Sequence, residues 1–397
     1  MKLKLSLNQL QVKLATLSFL LLFPGFFFYH FALGKGFIPP FLGGYFGIVA
    51  AFLFVPLALL NIKLFVKNIG LPVMIFFSIM FLILSVALIQ YSLGNPTNYT
   101  KEMFVWSMGG LLFNLVSFIV ASRLSIEQIA KAGYWLIALM FAIVVFNIGD
   151  HGIFYIKAEA GYLSDSVATY QGFARSIVVI LLITSAYYFH KGVKLYPLVI
   201  LGIIALFLNG ARTEFALFVC SLAFVYFFYA ITSFKKLVGF LFVMVMALFS
   251  VVNVIDLLPD SRMMQLFELA SSTSGQSRLE MFWLGLELIS NNPFLGSYGS
   301  YTANGGIGSY PHNLLSAWVN LGLFGFVLYI LLFLMLWKVA LKGFLQKKSD
   351  EYFKVFLIFL VFVTASLLVS KDYSYMLMGL LVGFYIQYRN KDKGILC

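Results

Sequence analysis

Twelve apolar runs, each close to the length of a membrane-crossing helix, recur along this chain of 397 residues. A helix needs about 20 apolar residues to cross about 30 Å of hydrocarbon, where backbone N–H and C=O groups must be satisfied within the helix itself. The runs occupy 14–33, 41–62, 71–93, 103–121, 134–149, 172–189, 196–209, 212–231, 238–255, 314–337, 355–370 and 374–388. Hydrophobic residues make up 62% of the chain and charged residues 11%, against about 45–50% and 25% in a soluble domain. That balance excludes a soluble globular protein, a disordered chain and a coiled coil. The expected fold is an all-α polytopic membrane protein, one integral membrane domain over 1–397 with about 12 transmembrane helices. Lys2, Lys4 and Lys13 precede the first run, as in a signal peptide, but a second run follows at once and it reads as a retained span. The two cysteines, Cys220 and Cys397, indicate neither a disulfide framework nor a zinc site.

The net charge of +12 is explained by topology. With the N-terminus placed inside, 19 of the 27 Lys and Arg fall on inner segments, while 11 of the 15 acids fall outside. This is the positive-inside pattern, with both termini cytoplasmic. Nucleic-acid binding then has no support. The exceptions carry information: 17 of 21 Lys lie inside, but four of the six Arg (Arg175, Arg212, Arg262 and Arg278) lie outside. Arg presents a rigid fork of donors suited to phosphate, whereas Lys is a point charge.

The outer side has two substantial loops, over 150–171 and 256–313. Loops as long as the second are uncommon in compact bundles and usually functional. It is expected to contain short helices. Asp260-Ser261 reads as the cap of one over Arg262 to Ala270, and Ser277-Arg278-Leu279-Glu280 fits a capping box opening a second, ended by Asn291-Asn292-Pro293. A glycine-rich stretch from Gly296 to Gly308 then leads to Tyr310-Pro311-His312-Asn313. On this reading all four outer Arg open helices, where the dipole disfavours a cation unless an anion is shared with the free N–H groups. The pattern points to a phosphate or pyrophosphate site, against the plainer reading that these Arg pair with outer acids. His312 titrates near neutral pH and is a candidate acid, base or phosphate partner; a lone histidine is more often a structural hydrogen bonder. Glu214, two residues after Arg212, is placed to orient it. Asp150, Glu159 and Asp165 line the smaller loop, as acceptor ligands or as ordinary solvated surface. No His, Asp or Glu cluster has metal-ligand spacing, and no P-loop, dinucleotide fingerprint or nucleophile elbow is present.

Three blocks carry a resemblance. Asn209-Gly210-Ala211-Arg212-Thr213-Glu214 resembles the small-residue–Arg–Thr signature of the O-antigen ligase and polymerase superfamily. Ser277-Arg278 through Asn292-Pro293-Phe294-Leu295-Gly296 resembles its second block, and Pro311-His312-Asn313 followed by Gly322-Leu323-Phe324-Gly325 its third. They fall in order over about 205–330. Many ligases carry a small or polar residue, or a second His, before the His-Asn pair; this chain departs with Tyr310-Pro311.

The resemblance implies a periplasmic glycosyltransferase in a bacterial inner membrane that uses undecaprenyl-pyrophosphate-linked oligosaccharide. It implies no cofactor and no metal, and a chain-length regulator and flippase of the same pathway as partners. Arg212, Arg278 and His312 carry over as catalytic residues; Arg175, Arg262, Glu214 and Asn313 are expected from their placement to bind substrate. A polymerase extends another lipid-linked glycan and a ligase transfers it to lipid A–core; the loop lengths and the divergent third block favour the polymerase. The rival from another class is a lipid-linked sugar flippase. Transporters place ionisable groups near the midplane and show paired repeats with broken helices, which these runs do not display.

Overall fold

The computed structural model describes residues 6–39, 45–66, 70–93, 98–149, 154, 170–254, 273–304, 306 and 309–392. The chain is an all-α polytopic membrane protein. The first span joins α1 (Leu7–Leu20) to α2 (Phe26–Gly34) through a π turn at Leu21–Gly25. Pro24 in that turn has no N–H for the helical ladder, and the Tyr45 hydroxyl donates to the nearby Leu21 carbonyl at 2.9 Å. There follow α3 (Tyr45–Leu60), α4 (Ile62–Val66), α5 (Leu71–Leu93), α6 (Asn98–Arg123), α7 (Ile126–Phe146), α8 (Tyr170–Tyr188), α9 (Gly192–Leu208) and α10 (Arg212–Ala230). The rest are α11 (Phe234–Val254), α12 (Thr273–Asn291), α13 (Leu315–Leu345), α14 (Glu351–Val369) and α15 (Met378–Asp392), with a 3-10 turn at Ser300–Asn304. Among the described residues, each apolar run is helical over most of its length. Among the described residues eight helices are long and apolar enough to cross a membrane, by length and composition; Gly47–Leu60 and Gly192–Leu208 are shorter apolar helices.

The middle of the bundle is built by α8, α14 and α15, whose side chains are buried nearly all round. Helix α15 lies closest to α6. Small residues permit this, because in lipid helices associate through close backbone packing and hydrogen bonds. A Cβ at Gly383 would stand 2.5 Å from the Phe118 carbonyl oxygen, and one at Gly379 would overlap the Asn114 carbonyl. The Gly379 N–H, free in the first turn of α15, donates to Asn114 Oδ1 at 2.8 Å, so a side chain of α6 caps α15. This contact fixes the start of α15 and with it the connection from α14.

Helix α13 departs from the expected unbroken run. Gly322 has φ 70° and ψ −175°, and the ladder breaks there. In a regular helix Leu323 N–H would bond the Val319 carbonyl. Here Leu323 N–H donates to the Pro293 carbonyl at 3.0 Å, and the Val319 carbonyl accepts from Ser297 N–H at 2.5 Å. The Pro293 carbonyl also takes the Trp318 indole N–H at 2.8 Å. The turn after α12 thus plugs the gap in α13 and satisfies both groups that the break releases. Asn292-Pro293-Phe294-Leu295-Gly296 and Gly322-Leu323-Phe324-Gly325, two separate sequence blocks, form one interlocked piece.

Candidate functional site

Arg212 is the first residue of α10, as the sequence implied. Helix α9 ends at Leu208, and Gly210 turns the chain with φ 69°. Asn209 is fully buried and its Nδ2–H donates to the Tyr170 carbonyl at 2.7 Å, which ties this turn to the start of α8. Arg212 therefore leaves a rigid corner at the first turn of α10.

The helix-start argument fails for two other arginines. Helix α8 begins at Tyr170 and α12 at Thr273, so Arg175 and Arg278 each stand in the second turn. Neither neighbours free amides. The Ser277–Glu280 capping box is likewise not a cap, because both residues lie within α12, and Glu280 is exposed. The polar tract before Arg278 reads as loop, but weak helix propensity is readily overridden once a helix is propagating. Arg262, the helix expected at Arg262 to Ala270, and Asp150, His151, Glu159 and Asp165 lie outside the described residues.

The structure nevertheless brings Arg175, Glu214 and Arg278 within electrostatic reach of Tyr310, and Arg278 within reach of His312. The two rings lie against each other at 4.5 Å between centroids, tilted by 49°. Burial pushes the Tyr310 hydroxyl up, Asp372 adds to the rise, and Arg175 and Arg278 oppose it. His312 is lowered to about 4, by burial first and then by the Arg278 charge, with Lys371 adding to the fall. Its Nδ1 lies 3.3 Å from the Ser370 carbonyl oxygen. A carbonyl only accepts, so Nδ1 carries the proton, and a neutral His312 presents a bare Nε2.

The segment from Ser370 to Met376, between α14 and α15, is the part of the site that sequence reasoning missed. Lys371 Nζ pairs with Glu214 Oε1 at 2.6 Å, both side chains nearly buried. Asp372 is 6% exposed and is raised to about 6 by burial, against the bond it accepts from Ser374 Oγ at 2.8 Å and the nearby Lys371 charge. Arg175 Nη1–H donates to Met376 Sδ at 2.8 Å. Tyr373 N–H donates to Ser316 Oγ at 2.8 Å, and the Tyr373 carbonyl accepts from the buried Tyr329 hydroxyl at 2.5 Å. One short connection thus touches α8, α10 and the approach to α13. A charged Lys-Asp pair in so brief a link between two apolar runs is the signal that was available.

Asn313 sits beside His312, but its Oδ1 accepts from Leu315 N–H at 2.9 Å and caps α13. Among the described residues no group of three or more His, Cys, Asp or Glu side chains is placed to hold a metal ion. The arrangement offers the Arg278 guanidinium and the Lys371 ammonium within electrostatic reach of a neutral imidazole, which suits an anionic group beside a hydroxyl.

Residues 197–330 match the family model described as O-antigen ligase. No curated protein matches the chain. The matched stretch contains Arg212, Glu214, Arg278, His312 and both halves of the interlock at Gly322, while Arg175 and the Ser370–Met376 segment fall outside it. Over that stretch, which is less than half of its length, the chain is similar to the O-antigen ligase family.

Proposed function

We propose that the protein is a glycosyltransferase acting on the periplasmic side of a bacterial inner membrane, polymerising undecaprenyl-pyrophosphate-linked oligosaccharide into O-antigen or a related surface polysaccharide. The observation that carries this reading is the placing of Arg175, Arg278 and a neutral His312 about Tyr310. The acceptor hydroxyl oxygen bonds to the anomeric carbon of the donor sugar as the sugar–phosphate bond breaks. The electron pair leaves on the pyrophosphate oxygen, whose charge Arg212 and Arg278 stabilise. The hydroxyl proton passes to His312 Nε2. With arginines supplying the positive charge, the step asks for no divalent metal. Arg175 and Glu214 hold the donor-side frame, and the glycine-rich stretch before Tyr310 admits the acceptor.

The pH dependence is specific. Protonated His312 cannot accept a proton, so activity falls as pH falls through its pKa. In free enzyme that value is about 4, so kcat/KM holds level from pH 7 down to about 5. Donor pyrophosphate offsets the Arg278 and Lys371 charges and raises the imidazole, so the acid limb of kcat lies at higher pH than that of kcat/KM. Arg278→Gln moves the kcat/KM limb upward. A wild-type limb near 6 that stays in place in Arg278→Gln would assign the base to Asp372 instead.

The ligase is the second reading, favoured by the description of the matched family. A gel of surface polysaccharide from a deletion strain, complemented with wild type or His312→Ala, separates the readings. A single repeat unit on lipid A–core identifies the polymerase. Bare core with lipid-linked polymer identifies the ligase. Bare core with carrier intermediates trapped inside revives the flippase and overturns the enzyme.

A further inference from the structure

The Glu214–Lys371 pair is an unusual investment for a membrane bundle. The partners are 157 residues apart in sequence, 2.6 Å apart in space, and their side chains are only 4% and 11% exposed. Burying two charges costs several kcal/mol per ion before their attraction is counted, and an apolar pair of similar volume often holds a core as well or better. Packing alone therefore gives little reason for this pair. Its surroundings supply one. Glu214 sits in the first turn of α10, two residues after Arg212. The residue before Lys371 is Ser370, whose carbonyl receives the His312 Nδ1–H. Lys371 N–H in turn donates to the Ser366 carbonyl at 2.8 Å, which anchors the connection to the end of α14.

We propose that Lys371 is a positioning residue for sugar transfer: its ammonium holds the arginine-bearing start of α10, and its backbone holds the Ser370 carbonyl against His312, so that the anion-binding and proton-accepting halves of the site keep one register. This rests on the glycosyltransferase reading above. Lys371 itself touches no reacting atom. The cation also sits within electrostatic reach of His312, so its removal changes the imidazole as well as the geometry.

The test uses the full-length protein in lipid nanodiscs with a lipid-pyrophosphate-linked oligosaccharide, comparing wild type, Arg212→Lys, Lys371→Met, Lys371→Arg and the double variant Lys371→Met/Glu214→Gln. The double variant leaves no charge buried alone, so it keeps the question answerable where Lys371→Met fails to fold. The expected result is a kcat about 100-fold lower in the folded single or double variant, the size that follows small misplacements of catalytic groups. In Lys371→Met the donor KM stays within about threefold of wild type, and in both variants the acid limb of kcat/KM moves upward. Lys371→Arg restores much of the kcat. A folded double variant with wild-type kcat and an unmoved pH profile would show the pair to be structural only, and the proposal falls while the enzymatic reading stands. Wild type that forms no polymer while Arg212→Lys behaves identically would bring down both.

Discussion

Replacing Arg212 with lysine is expected to collapse the polysaccharide ladder to its shortest product, with kcat lowered about 10²–10³-fold, the loss seen when one preorganised donor to a developing anion is removed. The substitution keeps the charge, so long-range attraction of an anionic donor persists. What disappears is the planar fork that reaches two phosphate oxygens at once. The position amplifies the effect. Arg212 opens α10 directly after the left-handed Gly210, and Asn209 fixes that corner to the start of α8. A lysine there cannot recover the fork by a backbone shift, because the turn is pinned from both sides. The measurement is chain-length distribution on a gel beside single-turnover transfer by purified protein. Unchanged chain length in Arg212→Lys sinks the active-site assignment.

Gly322→Ala is expected to be the most damaging substitution for folding, costing at least about 3 kcal/mol. At φ 70° and ψ −175° the backbone lies in a region open essentially to glycine alone. The added methyl would also overlap the Phe294 carbonyl and stand 2.8 Å from the Leu295 carbonyl carbon. Relieving the overlap means withdrawing the Pro293–Ser297 turn, which would leave the Leu323 N–H and the Val319 carbonyl without partners. Thermal unfolding and the monodisperse fraction in detergent report the loss. Gly239→Ala in α11 is the control: nothing lies within 4 Å of its added carbon, and its melt is expected to match wild type. Equal melts for the two variants would mean that the interlock contributes nothing.

The helices were legible because the runs are apolar, eight of the described helices at the length a bilayer demands, and lysines mark many of their ends. The corner at Asn209-Gly210-Ala211-Arg212 was legible because a glycine after a helix has one dominant use. Other features depended on partners that sequence does not reveal. The break in α13 is invisible in its composition, since leucine and phenylalanine continue on both sides of Gly322; the cause is a turn about thirty residues earlier that supplies replacement hydrogen bonds. Arg175 and Arg278 were read as helix starts, yet what brings them to the site is tertiary packing around Tyr310. Tyr310 itself entered only as a departure from the family pattern, and it proves to be the ring against which His312 rests. Nothing in the sequence ties Lys371 to Glu214, which lies 157 residues away in the chain.

That distance has a consequence for how the molecule comes into being. Arg175, Glu214, Arg278 and His312 emerge from the ribosome well before Ser370 and Lys371, which belong to the final link between helices. A nascent chain threaded through α13 already displays the guanidinium groups but lacks the carbonyl that sets the His312 tautomer and the ammonium that anchors α10. On the proposed reading, translation order acts as a safety catch: a product that stops before the link between α14 and α15 is expected to show no sugar transfer.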